Sequence, residues 1–235
     1  MSEDETNNNS LVPIHNTGLI KVGNIIKITD KVLKEYSERT LAVFIKSVII
    51  GEQEWMVENL NVDHFRNGDS IPEAKTDEEW IIAGEEHSPA WCYYDNDPEN
   101  GKIYGKLYNW FAVNDPRGLA PQGWKIPSKV EWTTLTDFLG GKDDAWSKLK
   151  EAGTTHWESP NVWATNETGF TALPGGYHNF KGTYRLIGAH GLWWSSTEDD
   201  TSSAFNWYVG SSYIGPLWLS SNKASGFSVR CHRNK

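Results

Sequence analysis

Cysteine and methionine are scarce in this chain, with two residues of each among 235. Two cysteines, Cys92 and Cys231, are too few for a disulfide scaffold or a zinc ribbon. Either they form one bridge, if the fold brings them together, or they are two buried thiols. The sequence leaves both alternatives open. A chain of this length buries a full core without a covalent staple.

Long apolar runs and clusters of basic residues are also missing. No run is long enough to span a bilayer, and Met1 is followed by Ser-Glu-Asp-Glu-Thr, which lacks the basic and apolar regions of a secretory signal. The formal net charge of -9 argues against binding to a phosphate backbone, which needs clustered Lys and Arg. We therefore expect neither membrane insertion nor a nucleic-acid partner.

Motifs of catalysis are equally sparse. The seven His are scattered, without a His-Glu-x-x-His or Cys-x-x-Cys pattern. Ser195 and Ser196 lack the Gly-x-Ser-x-Gly elbow, and the Gly pair after Pro174 is typical of a turn rather than a phosphate loop. We expect a protein that is not an enzyme and that needs no cofactor.

One acidic segment, residues 95–100, is a candidate metal site. Asp95, Asp97 and Glu99 supply the oxygen ligands that calcium prefers. Their spacing differs from that of an EF-hand, and a solvated turn with side-chain hydrogen bonds is the alternative that the sequence favours.

Tryptophan is abundant, with 13 residues. Most are expected in the core, because Trp is highly buried on average, and this applies to Trp55, Trp110, Trp124, Trp132 and the pair Trp193-Trp194. Near the C-terminus, however, residues 204–223 combine Trp, Tyr and Phe with Ser, Gly and Asn, and contain no acidic residue. That composition is typical of an antibody paratope.

The segment 204–223, called the insert below, is therefore predicted to be a ligand-binding surface. In an alternating strand Phe205, Trp207 and Val209 face one way, and Asn206, Tyr208 and Gly210 the other. A core position is accepted for Phe205 and Val209. Burying every remaining ring is disfavoured because the Ser and Asn neighbours leave little apolar surface to receive them. The predicted ligand-binding residues are Asn206, Trp207, Tyr208, Gly210, Ser212, Tyr213, Leu217, Trp218, Ser220 and Asn222.

Three segments are predicted along the chain. Residues 1–16 are an acidic, Asn-rich lead-in expected to be disordered. Residues 17–42 contain apolar runs around Gly23-Asn24, which indicate a hairpin, and a helix is predicted over 31–38. This segment is too small for a large core and is predicted to attach the protein to an assembly or to drive self-association, with a trimer as the first guess. Residues 43–235 form one binding domain.

Within that domain the pattern predicts an α+β fold. A strand, a turn and a second strand are expected between residues 43 and 56. Ser128 and Glu131 form a capping box that begins a helix ended by Gly140-Gly141. A second helix is predicted over 143–150, and short strands with Gly-rich turns follow Gly169.

Several motifs follow one another in a fixed order along this domain. They are GEQEWMVENL at 51–60, WCYYDN at 91–96, YGKLYNW at 104–110, PQGWKIPS at 121–128, TNETGFTALPGG at 165–176, GLWWSST at 191–197 and GFSVRC at 226–231. Together they resemble a known family, the Fibrobacter succinogenes major paralogous domain. This resemblance implies a C-type-lectin-like fold with two helices and twisted antiparallel strands. Family members often carry Cys before the Pro-x-Gly-Trp motif, whereas this chain has Ala120 there, so a bridge from that position to Cys231 is excluded.

The insert also resembles the variable ends of proteins diversified by retroelements, which mix Asn, Tyr, Ser and Gly between fixed framework residues. This implies a variable region at 204–223 and a protein that recognises a protein or glycan on a target cell surface. A phage tail-fibre tip or a bacterial cell-surface adhesin is the expected setting. The alternative is a structural cell-envelope or virion module whose aromatic end packs against a neighbouring subunit.

Overall fold

The computed structural model describes residues 20–22, 25–27, 45–212 and 218–233. The chain divides into two compact units, Met1–Ile45 and Lys46–Lys235. In the first unit, strands β1 (Ile20–Val22) and β2 (Ile25–Lys27) pair antiparallel, with Val22 opposite Ile25. This confirms the hairpin predicted from the apolar runs. The helix predicted over 31–38 lies outside the described residues.

The second unit contains five α-helices and one short 3-10 helix among its described residues. The two predicted helices are present and are called α4 and α5, but the expectation of only two helices is wrong. The other three are short and begin at polar caps, Thr76, Asp97 and Asn109, within loops where hydrophobic periodicity is weak. The helices are α1 (Asp77–Glu85), α2 (Pro98–Tyr104), α3 (Trp110–Val113), α4 (Lys129–Phe138) and α5 (Ala145–Leu149), and the 3-10 helix is Tyr94–Asn96.

Helix α4 begins as the sequence predicts. The Ser128 side chain accepts a hydrogen bond from the backbone of Glu131, and the Glu131 carboxylate accepts one from the backbone of Ser128. This reciprocal capping satisfies two backbone donors that a helix start otherwise leaves unpaired. Trp132 and Leu135 on the inner face are fully buried, so the capped start fixes which face of α4 meets the core.

The described strands of the second unit form two larger sheets and one two-stranded pair. A five-stranded sheet has the order β12-β11-β10-β8-β9, with β10 and β8 parallel and the other neighbours antiparallel. An antiparallel four-stranded sheet has the order β3-β4-β13-β7. The strands are β3 (Ser47–Ile50), β4 (Gln53–Met56), β5 (Trp91–Cys92), β6 (Leu107–Tyr108), β7 (Trp124–Lys125), β8 (Gly175–His178), β9 (Tyr184–Ile187), β10 (His190–Glu198), β11 (Ser203–Gly210), β12 (Trp218–Asn222) and β13 (His232–Arg233), with β5 paired to β6. This mixed arrangement confirms the α+β class.

The main core lies where α4 and α5 cover the sheets. It is unusually rich in indole rings, which supply a large apolar area. Some of them also donate to a backbone carbonyl, as Trp157 Nε1 does to Ala172 O at 3.0 Å. A second cluster surrounds Trp80 on α1 and Leu107 on β6. The main cluster contains Ile50, Trp55, Trp132, Leu135, Leu139, Ala145, Trp146, Leu149, Trp157, Phe170, Ala172, Trp193, Trp207 and Val209.

The C-terminal motif GFSVRC connects distant segments of the second unit through its arginine, Arg230. Arg230 is fully buried, and its guanidinium donates to the carbonyls of Met56 and Phe170 at 3.1 and 2.7 Å and to Asn59 Oδ1 at 2.7 Å. Burial lowers the pKa of Arg230 to about 9. A buried cation must be satisfied by hydrogen bonds. Because Arg230 finds its acceptors on distant segments of the chain, the GFSVRC motif has a structural role.

Candidate functional site

Strand β11 carries the first half of the insert, and its side chains alternate between two faces as predicted. On the face covered by α4, the Trp207 ring stacks on Trp132, with centroids 4.8 Å apart and planes 8° apart. Val209 belongs to the same core, which confirms its expected position. Phe205, expected in the core, is only half-buried.

On the opposite face of β11, polar contacts replace apolar packing. Asn206 is fully buried, and its amide Nδ2 donates to Ser221 Oγ at 2.8 Å and Leu219 O at 3.2 Å on β12. The Tyr208 ring lies edge-on to His190 at 5.0 Å. These contacts fasten β11 to its neighbours on both sides.

The expectation of a surface position is therefore wrong for the four predicted ligand-binding residues on β11. β11 is an inner strand between β10 and β12, and α4 covers one of its faces, so aromatic composition alone does not determine exposure. The buried members of the predicted set are Asn206, Trp207, Tyr208 and Gly210.

Strand β12 is different, because it is an edge strand of the five-stranded sheet. Trp218 stands opposite Trp207 in the register but is half-buried, whereas Ser220 and Asn222 are exposed. Ser212, just after β11, is also exposed. Tyr213 and Leu217 lie outside the described residues. The exposed part of the predicted site is thus confined to the edge strand and the end of β11.

An aromatic pair and a cation lie on this edge. The rings of Phe205 and Trp218 meet edge-on, with centroids 6.3 Å apart. The Lys129 ammonium, at the first turn of α4, lies 3.6 Å from the Phe205 ring centroid and 5.6 Å from that of Trp218. We define Lys129, Phe205, Ser212 and the β12 residues Trp218, Ser220 and Asn222 as the recognition edge. A cation over a ring face is attracted by the ring quadrupole, which holds Lys129 beside the aromatic pair.

A buried lysine anchors the chain where β11 ends. Lys150 is fully buried, and its ammonium donates to Gly210 O at 3.1 Å and Val162 O at 3.2 Å. Burial lowers its pKa to about 8. The next residue, Ser211, donates its N–H to Ala189 O and accepts from Val162 N–H, both at 2.8 Å. These hydrogen bonds therefore fix the backbone at the end of β11, next to Ser212 of the recognition edge.

Sequence reasoning missed one exposed aromatic residue close to these hydrogen bonds, Trp163. Trp163 is 67% exposed and follows Val162, the residue bonded to Ser211. Its φ of 54° lies in the left-handed region, which a bulky residue seldom adopts. No local sequence pattern indicated this position; only the contact between the two loops brings it to the insert.

A cleft lies on the other flank of α4, with a volume of about 430 Å³, lined by Ile49, Glu52, Gln53, Glu54, Lys125, Glu131, Thr134, His232 and Arg233. Burial opposes ionisation of Glu131, but hydrogen bonds from Lys125 and Ser128 and the charge of His232 outweigh it and lower its pKa to about 2. Arg233 forms a two-pronged ion pair with Glu54. The charges in this cleft are thus already engaged with one another.

The acidic segment 95–100 is used for structure. Asp97 caps α2, its carboxylate accepting from Glu99 N–H at 2.9 Å, and Glu99 pairs with Lys102. Asp95 is in the left-handed region within the 3-10 helix. Over the part of the chain that the structure describes, no group of three or more acidic, His or Cys side chains is placed to hold a metal ion. The favoured turn interpretation is thus refined to a helix cap.

Both cysteines are free and fully buried, so of the two alternatives the thiols are correct. Cys92 Sγ lies 3.7 Å from His178 Nδ1, and His178 Nε2 lies 3.6 Å from an Asp77 carboxylate oxygen. Burial raises the pKa of Cys92 strongly and that of Cys231 to about 12, and it lowers the pKa of His178. A thiol reacts as its thiolate, so this geometry does not supply an activated nucleophile.

These features define a mixed α+β domain with a Trp-rich core and an uncharged aromatic strand at one sheet edge. Residues 48–233 match the family model of the Fibrobacter succinogenes major domain, and the chain belongs to that family. The match covers most of the chain and confirms the resemblance that the ordered motifs indicated. No curated protein and no solved structure matches the chain. Among the described residues, no helix has the length and apolarity needed to cross a membrane.

Proposed function

We propose that the domain is a non-catalytic recognition module that binds its ligand at the recognition edge. The observation that carries this proposal is the contrast between the two cross-strand partners: Trp207 is fully buried in the core, whereas Trp218 is only half-buried on an edge strand. Exposed strand edges are normally protected or paired. An edge with an aromatic anchor, exposed Ser and Asn, and the Lys129 cation held against the rings suits a partner surface.

The partner in this proposal is a protein or glycan on a target cell surface. The net charge of -9 disfavours nucleic acid. The setting is a virion, as a tail-fibre tip, or a bacterial cell surface. The first unit attaches the domain to a larger assembly or drives self-association, and a trimer would turn weak single-site contacts into avidity.

A C-type-lectin-like fold and retroelement diversification remain part of the proposal. The ordered motifs support the fold. The composition of the insert, which lies between the motifs GLWWSST and GFSVRC, supports diversification. The burial of Asn206 and Trp207 narrows the diversified positions to exposed ones such as Ser212, Ser220 and Asn222. Substitutions at the buried positions would disturb the core instead.

The absence of catalysis is proposed on chemical grounds. The thiol and imidazole that approach each other, Cys92 and His178, are buried, and burial shifts both pKa values toward the uncharged forms. An activated cysteine needs a lowered pKa and access to substrate. Turnover lost on replacing Cys92 or Cys231 would contradict this part of the proposal.

The test compares charge insertions on two edge strands. Ser220→Lys places a charge on β12 within the recognition edge, and Ile49→Lys places one on β3, an edge strand of the other sheet whose Ile49 is 75% exposed. The wild-type chain and both variants are applied to a panel of immobilised glycans and of intact bacterial cells. Binding lost in Ser220→Lys and kept in Ile49→Lys supports the proposal; equal binding by both variants contradicts it.

The rival structural role predicts a different result. If the edge packs against a neighbouring subunit of the chain's own assembly, Ser220→Lys changes the assembly state measured by light scattering. In that case binding to cells and glycans is absent in the wild type as well.

A further inference from the structure

Trp163 combines an exposed side chain with a left-handed backbone. Its side chain is 67% exposed, and its backbone has a φ of 54°. Left-handed backbone at a bulky residue costs free energy, and such strain persists only when the surrounding structure holds it. The neighbouring Asn161 is also left-handed, with a φ of 39°.

The loop is held in this shape from several sides. The Asn161 amide donates to the carbonyls of Glu151 and Gly153. Val162 packs against the main core, donates its N–H to Ser211 O at 2.8 Å and accepts from the Lys150 ammonium at 3.2 Å. The contacts of Asn161 and Val162 thus fix the backbone on which Trp163 stands.

Among the described residues, one aromatic ring lies against the indole. The indole centroid is 5.7 Å from that of Trp146, with the planes tilted by 53°. Trp146 is buried in the main core, so it braces one side of Trp163 and leaves the rest of the indole in water. A rigid, half-wet ring costs little entropy when a ligand covers it.

The segments that carry Trp146 and Trp163 hold hydroxyl side chains and an ion pair, Lys148 Nζ to Glu167 Oε1 at 3.6 Å, whose charges engage each other. Thr165 Oγ1 donates to Ser147 O at 3.2 Å, and Ser147 Oγ donates to Asp144 O at 2.7 Å. Exposed Ser212 follows Ser211 on the insert side. Lys150, another cation nearby, is buried, and its ammonium donates to backbone carbonyls. An exposed, flat apolar face near hydroxyls and charges that are already paired matches a neutral sugar ring, which offers C–H groups on one face and hydroxyls at its rim.

We propose that Trp163 is a ligand-binding residue adjoining the recognition edge and that it stacks on the ring face of a neutral sugar. A protein partner is less well matched, since protein hot spots sit in fully desolvated pockets, whereas Trp163 is 67% exposed. The inference rests on the proposed function, because it places Trp163 on the same ligand as β12.

The test uses the full chain and neutral oligosaccharides of four to six glucose, galactose or mannose units. Binding is followed by titration and by iodide quenching of Trp fluorescence. Trp163→Ala removes the platform, Trp163→Tyr keeps an aromatic ring, and Phe180→Ala changes a 44% exposed ring elsewhere. At least one oligosaccharide should bind and reduce quenching. Affinity should fall about tenfold in Trp163→Ala, and be largely kept in Trp163→Tyr and Phe180→Ala.

Failure of this inference is distinct from failure of the proposed function. If none of the oligosaccharides binds, or if Trp163→Ala binds like the wild type, the sugar-stacking role is wrong. If Ser220→Lys abolishes cell or glycan binding while Trp163→Ala keeps it, the recognition edge stands without Trp163. If Trp163→Ala alone loses binding, the ligand lies away from β12 and the proposed function is overturned.

Discussion

Trp132 on α4 and Trp207 on β11 stack nearly parallel, with ring centroids 4.8 Å apart. Both are fully buried. This contact buries the ring of Trp207, so that it cannot contact a ligand directly. Across the sheet, Trp207 stands opposite Trp218 on the edge strand β12. It also explains how an aromatic, Ser-rich segment can be half core and half surface.

The stack predicts unequal costs for replacing two cross-strand partners. Trp207→Ala should lower the free energy of unfolding by about 3–5 kcal/mol, since a large buried ring leaves a cavity. Trp218→Ala, at a half-buried edge position, should cost about 1 kcal/mol. Urea denaturation of both variants measures the difference. Equal losses would mean that Trp218 is as much a part of the core as Trp207.

Lys150 predicts a pH-dependent difference in stability. Its folded pKa of about 8 lies below the ordinary value near 10.5, so between these values the unfolded chain binds more protons than the folded one. Stability contributed by this group therefore rises with pH above about 8, as the cost of burying the charge disappears. Lys150→Met removes this titration but leaves the others in place.

The measurement is the unfolding free energy of the wild type minus that of Lys150→Met, at pH 7 and at pH 9.5. The difference should shift in favour of the wild type at the higher pH. A difference that stays constant would show that Lys150 titrates normally and that its burial carries no electrostatic cost.

The two thiols should be silent in the native protein. Cys92 and Cys231 are fully buried, and burial raises the pKa of each thiol. A thiol reagent at pH 8 should label neither residue in the folded chain and both in guanidinium, as read by absorbance. Rapid labelling of the native chain would indicate an accessible, activated cysteine and would reopen the case for catalysis.

Sequence variation between related isolates should follow exposure rather than composition. If residues 204–223 are diversified, substitutions should concentrate at Ser212, Ser220 and Asn222 and avoid Trp207 and Asn206. Sequencing the locus in isolates checks this, together with a search for an adenine-rich template and a reverse transcriptase nearby. An invariant insert would favour the structural packing role.

Local signals predicted the local structure well. The reciprocal contacts of Ser128 and Glu131 fixed the start of α4, and Gly140-Gly141 its end, because capping depends on residues within one turn. The strands around Gly51 were equally readable, since Gly51 adopts the positive φ of 59° that its turn requires. These elements carried over to the structure with small changes in length.

Exposure was harder to predict, because it depends on contacts between distant segments. The sequence around Trp207 resembles a paratope, but the packing of α4 places Trp132 against its ring and buries it. The sequence around Trp163 resembles a polar loop, and the hydrogen bond between Val162 and Ser211 is what brings it near the insert. Neither contact leaves a periodic trace in the sequence, so the buried half of the insert and its exposed neighbour both required the fold.

The most direct test of the account is the affinity of Trp218→Ala for the glycan or cell that the wild-type chain binds, measured beside its unfolding free energy. Trp218 is the aromatic anchor of the recognition edge, and hot-spot rings typically cost 2 kcal/mol or more of binding when truncated, about thirtyfold in affinity. The account predicts a loss of that size with a stability loss near 1 kcal/mol. Unchanged affinity in the folded variant would contradict it.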